Sequence, residues 1–332
     1  MDVFLTLDYE LFLGERTGSV GRCLVETSDR LCDIAEQAGA RFTFFVDATY
    51  LLRLRELSGS DSHASDDFGR VTSHLHSLAG RGHDLQLHIH PQWQYSDYSD
   101  GQWTLDSTHY KIQDIPAEKA AALFRDGCSL IEEIGGRRPV AFRAGGFSAQ
   151  PTSLLRSLLI PNGISIDCSV YPGNVYHSPQ QDYDYATAPT NTVYRFSSDI
   201  CVPDADGDLT ELPLSVCKVS PLFYWGLVAR RLARLKSHRR IGDGLSVKTT
   251  GESIRTRLTT STDGFATIDE SKISYLPKAF RRALADGADA FCVIGHPKLA
   301  TPYSLSRLPG VLRGMSDRGA VFRTVSELND QP

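Results

Sequence analysis

Three of the ten histidines fall within eight consecutive residues, in the stretch Gly82-His83-Asp84-Leu85-Gln86-Leu87-His88-Ile89-His90-Pro91-Gln92-Trp93. His88 and His90 are separated only by Ile89. On a β-strand, residues i and i+2 point to the same face, so both imidazoles lean the same way, as a shared metal ion requires. Pro91 cannot donate to a sheet ladder and marks the end of the strand. The pair therefore sits at a strand's C-terminal end, where α/β enzymes keep their chemistry. The competing reading is two ordinary strand histidines, and the short motif alone does not separate the two. His83 lies an odd number of residues before His88, so it points to the opposite face and the far end.

A second chemical pair stands near the N-terminus. Asp2-Val3-Phe4-Leu5-Thr6-Leu7 is a short apolar run with the character of a buried strand, and it ends in Asp8-Tyr9-Glu10. Asp8 and Glu10 share one face. Two carboxylates ending an apolar strand are costly unless something pairs with them. Either a metal and a catalytic role supply that partner, or the strand has already reached solvent.

The same arrangement recurs along the chain. Arg41-Phe42-Thr43-Phe44-Phe45-Val46 predicts a buried strand ending in Asp47. Val140-Ala141-Phe142-Arg143-Ala144-Gly145-Gly146-Phe147 predicts a strand running into a glycine turn, with Arg143 placed to meet an anion. Gly163 to Asp167 is a short strand ending in an acid, and Ala290 to Ile294 is a late core strand followed by Gly295-His296-Pro297-Lys298. Between them, apolar spacing predicts helices over 18–40, 71–79, 116–135, 153–159, 222–240, 271–287 and 302–319, the last broken at Pro309-Gly310. Leu57 to Phe68 reads as a loop, and 172–208 as a long irregular segment. His74 and His76 read as surface or packing residues. The loop 92–110 is dense in aromatics, including Trp93, Tyr95, Tyr98, Trp103 and Tyr110, which suit either a sugar platform or the packing of a long loop.

Strands alternating with helices favour a parallel sheet or barrel with helices outside. The expected fold is a distorted (β/α) barrel of about seven parallel strands with long loop insertions. In such a barrel Asp8, Glu10, Asp47, His88, His90, Arg143, Asp167 and His296 all meet at one face. That convergence favours the metal reading of His88 and His90.

In this order the motifs resemble the polysaccharide deacetylases, the NodB-homology group also called carbohydrate esterase family 4. Thr6-Leu7-Asp8-Tyr9-Glu10 is similar to the family's first motif, Thr43-Phe44-Phe45-Val46 to its second strand and His83 to Pro91 to its histidine motif. Phe142-Arg143-Ala144-Gly145-Gly146 is similar to its arginine motif, Asp167 to Gly173 to the fourth, and Ile294-Gly295-His296-Pro297 to the fifth. The chain departs from the common pattern in three places. Tyr9 replaces the second of two adjacent aspartates, the histidine spacing is His-x-His instead of His-x-x-x-His, and Gly145-Gly146 replaces Pro-Tyr. An Asp-x-acid pattern belongs to a divergent branch associated with bacterial surface-polysaccharide gene sets, such as those for lipopolysaccharide O-antigen.

The resemblance implies a metal-dependent deacetylase. Glu10, His88 and His90 would hold one divalent ion, zinc by expectation. Asp8 would be the general base, held ionised by Arg143, and His296 the general acid, oriented by Asp167. Gly146 would offer its N–H to the oxyanion, with Trp93 and Asp47 beside the substrate. A carbohydrate is the expected substrate, its acetyl group N- or O-linked. The alternatives are an amidohydrolase acting on a small non-sugar amide, and a sugar-binding protein with a decayed site.

The bulk properties bound the remainder. A net charge of −5 gives no general basic field of the kind nucleic acid selects. The seven cysteines are scattered and form no C-x-x-C pair, which fits reduced thiols in a cytoplasmic protein. No signal sequence and no run of membrane-spanning length is evident. The expected organisation is one catalytic domain over 1–332, carrying a helical basic insertion near 214–262. The basic helix 222–240 reads as a solvated face or as a surface for an anionic glycan, a lipid-linked substrate or a membrane.

Overall fold

The apolar run after Met1 forms strand β1 (Asp2–Tyr9), buried along almost its whole length in the computed structural model, which describes residues 1–246 and 251–329. Around it assemble β2 (Thr43–Asp47), β3 (Asp84–Ile89), β4 (Ala141–Ala144), β5 (Ile166–Asp167), β6 (Tyr194–Phe196), β7 (Leu209–Glu211), β8 (Ala290–Gly295) and β9 (Val321–Arg323). Their order in the sheet is β6-β7-β5-β4-β3-β2-β1-β8, with β9 also on β1. Every pairing is parallel except β6 with β7. Eight strands pair in parallel where about seven were expected, and the sheet curls without closing as a ladder. Residues after β7 bridge the gap: Leu214 N–H donates to the Val170 carbonyl, and Ser215 N–H to that of Cys292 on β8.

Helices α1 (Glu26–Gln37), α2 (Ala48–Leu57), α3 (Ser62–Gly80), α4 (Ala117–Gly135), α5 (Thr152–Leu159), α6 (Pro221–Leu232), α7 (Gly251–Thr259), α8 (Leu276–Ala285) and α9 (Pro302–Ser316) complete the described fold. Parallel strands need such crossovers, and helices on the outside bury the sheet's faces. The core is one continuous apolar cluster running from Val3 to Val325.

Several sequence expectations shift. Residues 62–68 are the start of α3 and not loop, because the Asp61 carboxylate accepts from the Ala64 N–H and caps the helix. Pro309 does not break α9, which runs through it. The helix expected over 222–240 stops at Leu232. The insertion leaves and re-enters the body through an antiparallel pair, Val216–Val219 with Thr262–Phe265. Residues 247–250 of that stretch lie outside the described residues. The segment 172–208 holds a small hairpin, Val175–His177 with Asp182–Asp184, and then β6.

The β5–β7 register sets Asp167 opposite Glu211, both fully buried. Asp167 accepts from the Ser169 N–H and hydroxyl, each at 2.9 Å. Glu211 Oε1 accepts from the Val170 N–H at 3.1 Å, while Oε2 has no donor. Burial and then the Asp167 carboxylate push the Glu211 pKa well above the ordinary glutamate value, and burial raises that of Asp167. A proton on Glu211 resolves the repulsion by letting one carboxyl donate to the other. The folded state thus keeps a proton that the unfolded chain releases above about pH 4.3. Stability from this pair is therefore lost as pH rises from there toward the raised folded pKa. Glu211→Gln keeps a donor facing Asp167 and removes the titration. Denaturant unfolding at about pH 5 and pH 8 should show the variant gaining on the wild type, with a limiting slope of about 1.4 kcal/mol per pH unit. Parallel stability curves would contradict the shared proton.

Candidate active site

The site is built at the C-terminal ends of β1, β3, β4 and β8. Alternation along β1 sends Asp8 and Glu10 to one side and Tyr9 to the other, where the Tyr9 hydroxyl meets His74 Nδ1 at 2.9 Å. His74 is thereby a buried packing residue. His83 is likewise committed elsewhere, accepting from the Phe42 N–H through Nδ1 and meeting Glu36 through Nε2.

One carboxylate and two imidazoles converge. Ligand atoms of Glu10, His88 and His90 lie within 4.8 Å of one another. Glu10 Oε2 is 2.7 Å from His90 Nε2 and 3.6 Å from His88 Nε2. His88 Nδ1 lies 2.7 Å from the Arg143 carbonyl, which can only accept, so Nδ1 carries a hydrogen and Nε2 is the atom turned to Glu10. His88 Nε2 is buried without a hydrogen-bond partner, and Glu10 Oε2 is buried with no well-aligned donor, its near neighbours being the two imidazoles. Buried polar atoms left unpaired are costly, and a divalent cation among these three ligands would satisfy them. Electrostatics point the same way. Burial opposes a charge on His88, yet Glu10, Asp8 and Asp47 outweigh it and draw its pKa up to about 9. The field that holds a proton there would also hold a cation. Two nitrogens and one carboxylate leave positions open for water and substrate.

Lys298 is a participant that sequence reasoning did not assign. Its buried ammonium donates to Glu10 Oε1 and to the Leu11 carbonyl, each at 2.7 Å. One oxygen of Glu10 is thus tied down and the other turned to the histidines. Burial works against ionisation of Glu10, but Lys298 and the two imidazoles hold its carboxyl well below the ordinary range. The available signal was a lysine only two residues beyond His296, within the same strand-end turn.

Beside the triad, Arg143 Nη1 donates to Asp8 Oδ1 at 2.6 Å. Nη2 bonds the Thr6 hydroxyl at 3.0 Å, Nε the Cys168 carbonyl at 2.9 Å, and the guanidinium lies 4.1 Å from the centre of the Phe45 ring. Burial raises the Asp8 pKa, but Arg143 together with His88 and His296 outweighs it, so Asp8 is held below the usual value. Its second oxygen, Oδ2, stands 3.7 Å from His296 Nε2.

The partner of His296 corrects the sequence reading. Asp167 is occupied by Ser169 and Glu211, whereas Asp269 accepts from His296 Nδ1 and from the His296 N–H, both at 2.8 Å. Burial opposes protonation of His296, but Asp269 and then Asp8 raise its pKa. The signal for Asp269 was present. Ala266-Thr267-Ile268-Asp269 is a short apolar run ending in an acid, and Thr267 forms a single parallel bridge with Ile294. One bridge is too little strand to stand out as a period.

Two further assignments change. Trp93 is fully buried, packed on Tyr50 and Trp103, with its indole N–H on Asp47 Oδ2 at 2.6 Å. It cannot be a sugar platform. Asp47 is buried as well: it caps α2 through the Tyr50 N–H and accepts from the Thr49 hydroxyl, which in turn accepts from the His90 N–H. Asp47 therefore positions the backbone of His90 and does not face a substrate. Gly146 lies in the turn after β4 with φ 59°, close to Gln181.

Comparison of whole structures aligns this chain with a protein described as a polysaccharide deacetylase from Mycobacterium smegmatis, over 99% of this chain and 88% of that one, with TM-score 0.55 and 15% identity. The fold is that of the polysaccharide deacetylases. Puue allantoinase shares it, with TM-score 0.53 and 14% identity over 99% and 89% of the two chains. A family 4 carbohydrate esterase from Streptomyces lividans aligns at TM-score 0.45 and 12% identity, over 98% and 94%. No protein-family model matches the sequence, and no curated protein is similar to it.

Within this deacetylase fold, Gly145 makes room for the second histidine. A Cβ there would stand 2.7 Å from His90 Nδ1 and 2.6 Å from the Ile89 carbonyl. Gly145→Ala should therefore displace the His90 ring and weaken binding of a divalent cation about 10–100-fold, the range for a lost supporting contact. Competition with a chromogenic chelator measures this; unchanged affinity would show that His90 does not hold the cation.

Proposed function

We propose that this chain is a metal-dependent hydrolase that removes an acetyl group, N- or O-linked, from a sugar of a bacterial surface polysaccharide or its precursor, working in the cytoplasm as a single catalytic domain. What carries the reading is one arrangement. An aspartate paired with arginine and a histidine paired with aspartate face each other at 3.7 Å, beside three convergent ligands. That is a base and an acid with separated pKa values beside a cation site.

Glu10, His88 and His90 would hold the ion, zinc by the nitrogen-rich donor set. When bound, such an ion supplies Lewis-acid polarisation of a carbonyl and a more acidic water. Asp8, kept ionised by Arg143, takes the proton from the attacking water through Oδ2. The Gly146 N–H donates to the developing oxyanion. His296, held by Asp269, delivers its proton to the leaving nitrogen or oxygen. Lys298 fixes the orientation of Glu10.

The likeness to Puue allantoinase favours a second reading, hydrolysis of a small non-sugar amide on the same scaffold. Acetate release from N- and O-acetylated sugars, set against opening of small cyclic amides, separates the two.

Asp8→Asn should lower kcat by about 10²–10⁴-fold with the metal content unchanged. His88→Ala should lose the metal, measured by elemental analysis. Full zinc and full activity in both variants would sink the scheme. The pH dependence has a definite sign. The base must be ionised, so kcat/KM falls when pH drops through the depressed Asp8 pKa. The acid must be protonated, so kcat/KM falls when pH rises through the elevated His296 pKa, above the ordinary value of about 6.5. Asp269→Asn should move that alkaline limb to lower pH; an unmoved limb would remove Asp269 from its role.

A further inference from the structure

Helix α6 is turned inside out relative to an ordinary surface helix. Its outward face carries Leu222, Trp225, Val228 and Leu232, spaced three or four residues apart, while Phe223 packs inward against Tyr275. Leu222 and Leu232 are each 79% exposed and Trp225 is 55% exposed. Leu235 and, on α7, Ile254 are exposed as well, and α7 lies alongside α6 through a Trp225 indole bond to the Leu258 carbonyl at 3.1 Å. A surface helix normally shows water its polar side. An apolar helix face bordered by charge marks a surface that something else covers.

The charge on the rim identifies what covers it. Residues 221–259 hold nine Lys and Arg against two acids, a net +7 within a chain of net −5. Arg234, Lys236, Arg239, Arg255 and Arg257 are exposed along this unit. Exposed leucines and a tryptophan bordered by arginines match the interface of an anionic bilayer, where apolar side chains enter the headgroup boundary and cations meet lipid phosphates and acidic headgroups. Among the described residues no helix is long and apolar enough to cross a membrane, so the contact is in the plane. The remainder of the chain is net −12 and would be repelled by the same surface, which orients the molecule with α6 downward.

We propose that α6, with Leu235 and α7, is a docking surface for an anionic lipid bilayer. The strand pair at its base reaches the site region. Phe265 packs on Phe147, in the turn after β4, and on Tyr171. Docking would therefore set the catalytic face near the membrane plane. The inference does not depend on which bond the site cleaves.

Flotation of the full chain with phosphatidylcholine vesicles containing about 30% phosphatidylglycerol, or none, tests it. Binding should appear only with the anionic vesicles and weaken as added salt shortens the Debye length. Leu222→Ser with Leu232→Ser, at positions that face solvent, should bind about tenfold or more weakly with an unchanged melting temperature. Arg234→Glu with Arg239→Glu should lose binding as well. Equal binding to neutral vesicles, no binding, or unaltered binding of the leucine variant would overturn the proposal. So would a dimer, by sedimentation, that the leucine variant converts to monomer, since a second copy would then be the cover.

Discussion

The ion pair between Arg143 and Asp8 is almost wholly buried, and much of the structure is arranged so that it can exist. A buried guanidinium is tolerated only when its donors are taken. Here they are distributed over Asp8 and Thr6 on β1 and the Cys168 carbonyl beyond β5, with Phe45 of β2 under the plane. One side chain on β4 therefore ties together four strands at the height where the chemistry sits. The parallel register makes this possible by bringing Arg143 level with His88. The carbonyl of the same arginine then fixes the tautomer of His88. Charge, sheet register and ligand geometry are one constraint seen from three sides.

Around that pair the polar groups divide into those that face the cleft and those that hold them. Glu10 shares its two oxygens between Lys298 and the histidines. Asp269 holds His296 at both the ring and the backbone, and Asp47 holds the backbone of His90 through Thr49. Each of these groups thus has a buried partner that fixes its orientation, and Lys298 and Asp269 also set the charge state of the group they hold. Such support keeps a small open site in working geometry without substrate.

The face with His88 and His90 was legible from i,i+2 alternation, and the convergence of strand-end residues was legible because a parallel (β/α) sheet puts every strand's C-terminal end on one side. The aromatic loop was ambiguous by sequence. Tyr50, Trp93 and Trp103 pack edge-on and tilted against one another, so packing of the loop rather than sugar binding accounts for these residues. Asp167 was assigned to His296 because it ends a strand, the same reason that correctly placed Asp8. Its neighbour across the sheet, Glu211, comes 44 residues later, and only the β5–β7 pairing reveals that the two acids face each other.

By itself the sequence determined which residues end apolar strands, which share a face and where the unusual charge lies, because these follow from periods of two and 3.6 and from composition. Tertiary structure decided which of these groups are partners. Asp269 rather than Asp167 reaches His296, Lys298 reaches Glu10 from 288 residues away, and Gly145 is small because the His90 ring occupies the space of its missing Cβ. Hydrogen bonds of about 2.7–3.0 Å depend on through-space approach of distant segments, and no local period encodes that distance. The opening pair of histidines and the acids at the end of β1 were visible in the linear chain; the contacts of Lys298 with Glu10 and of Gly145 with His90 became identifiable only when the sheet curled.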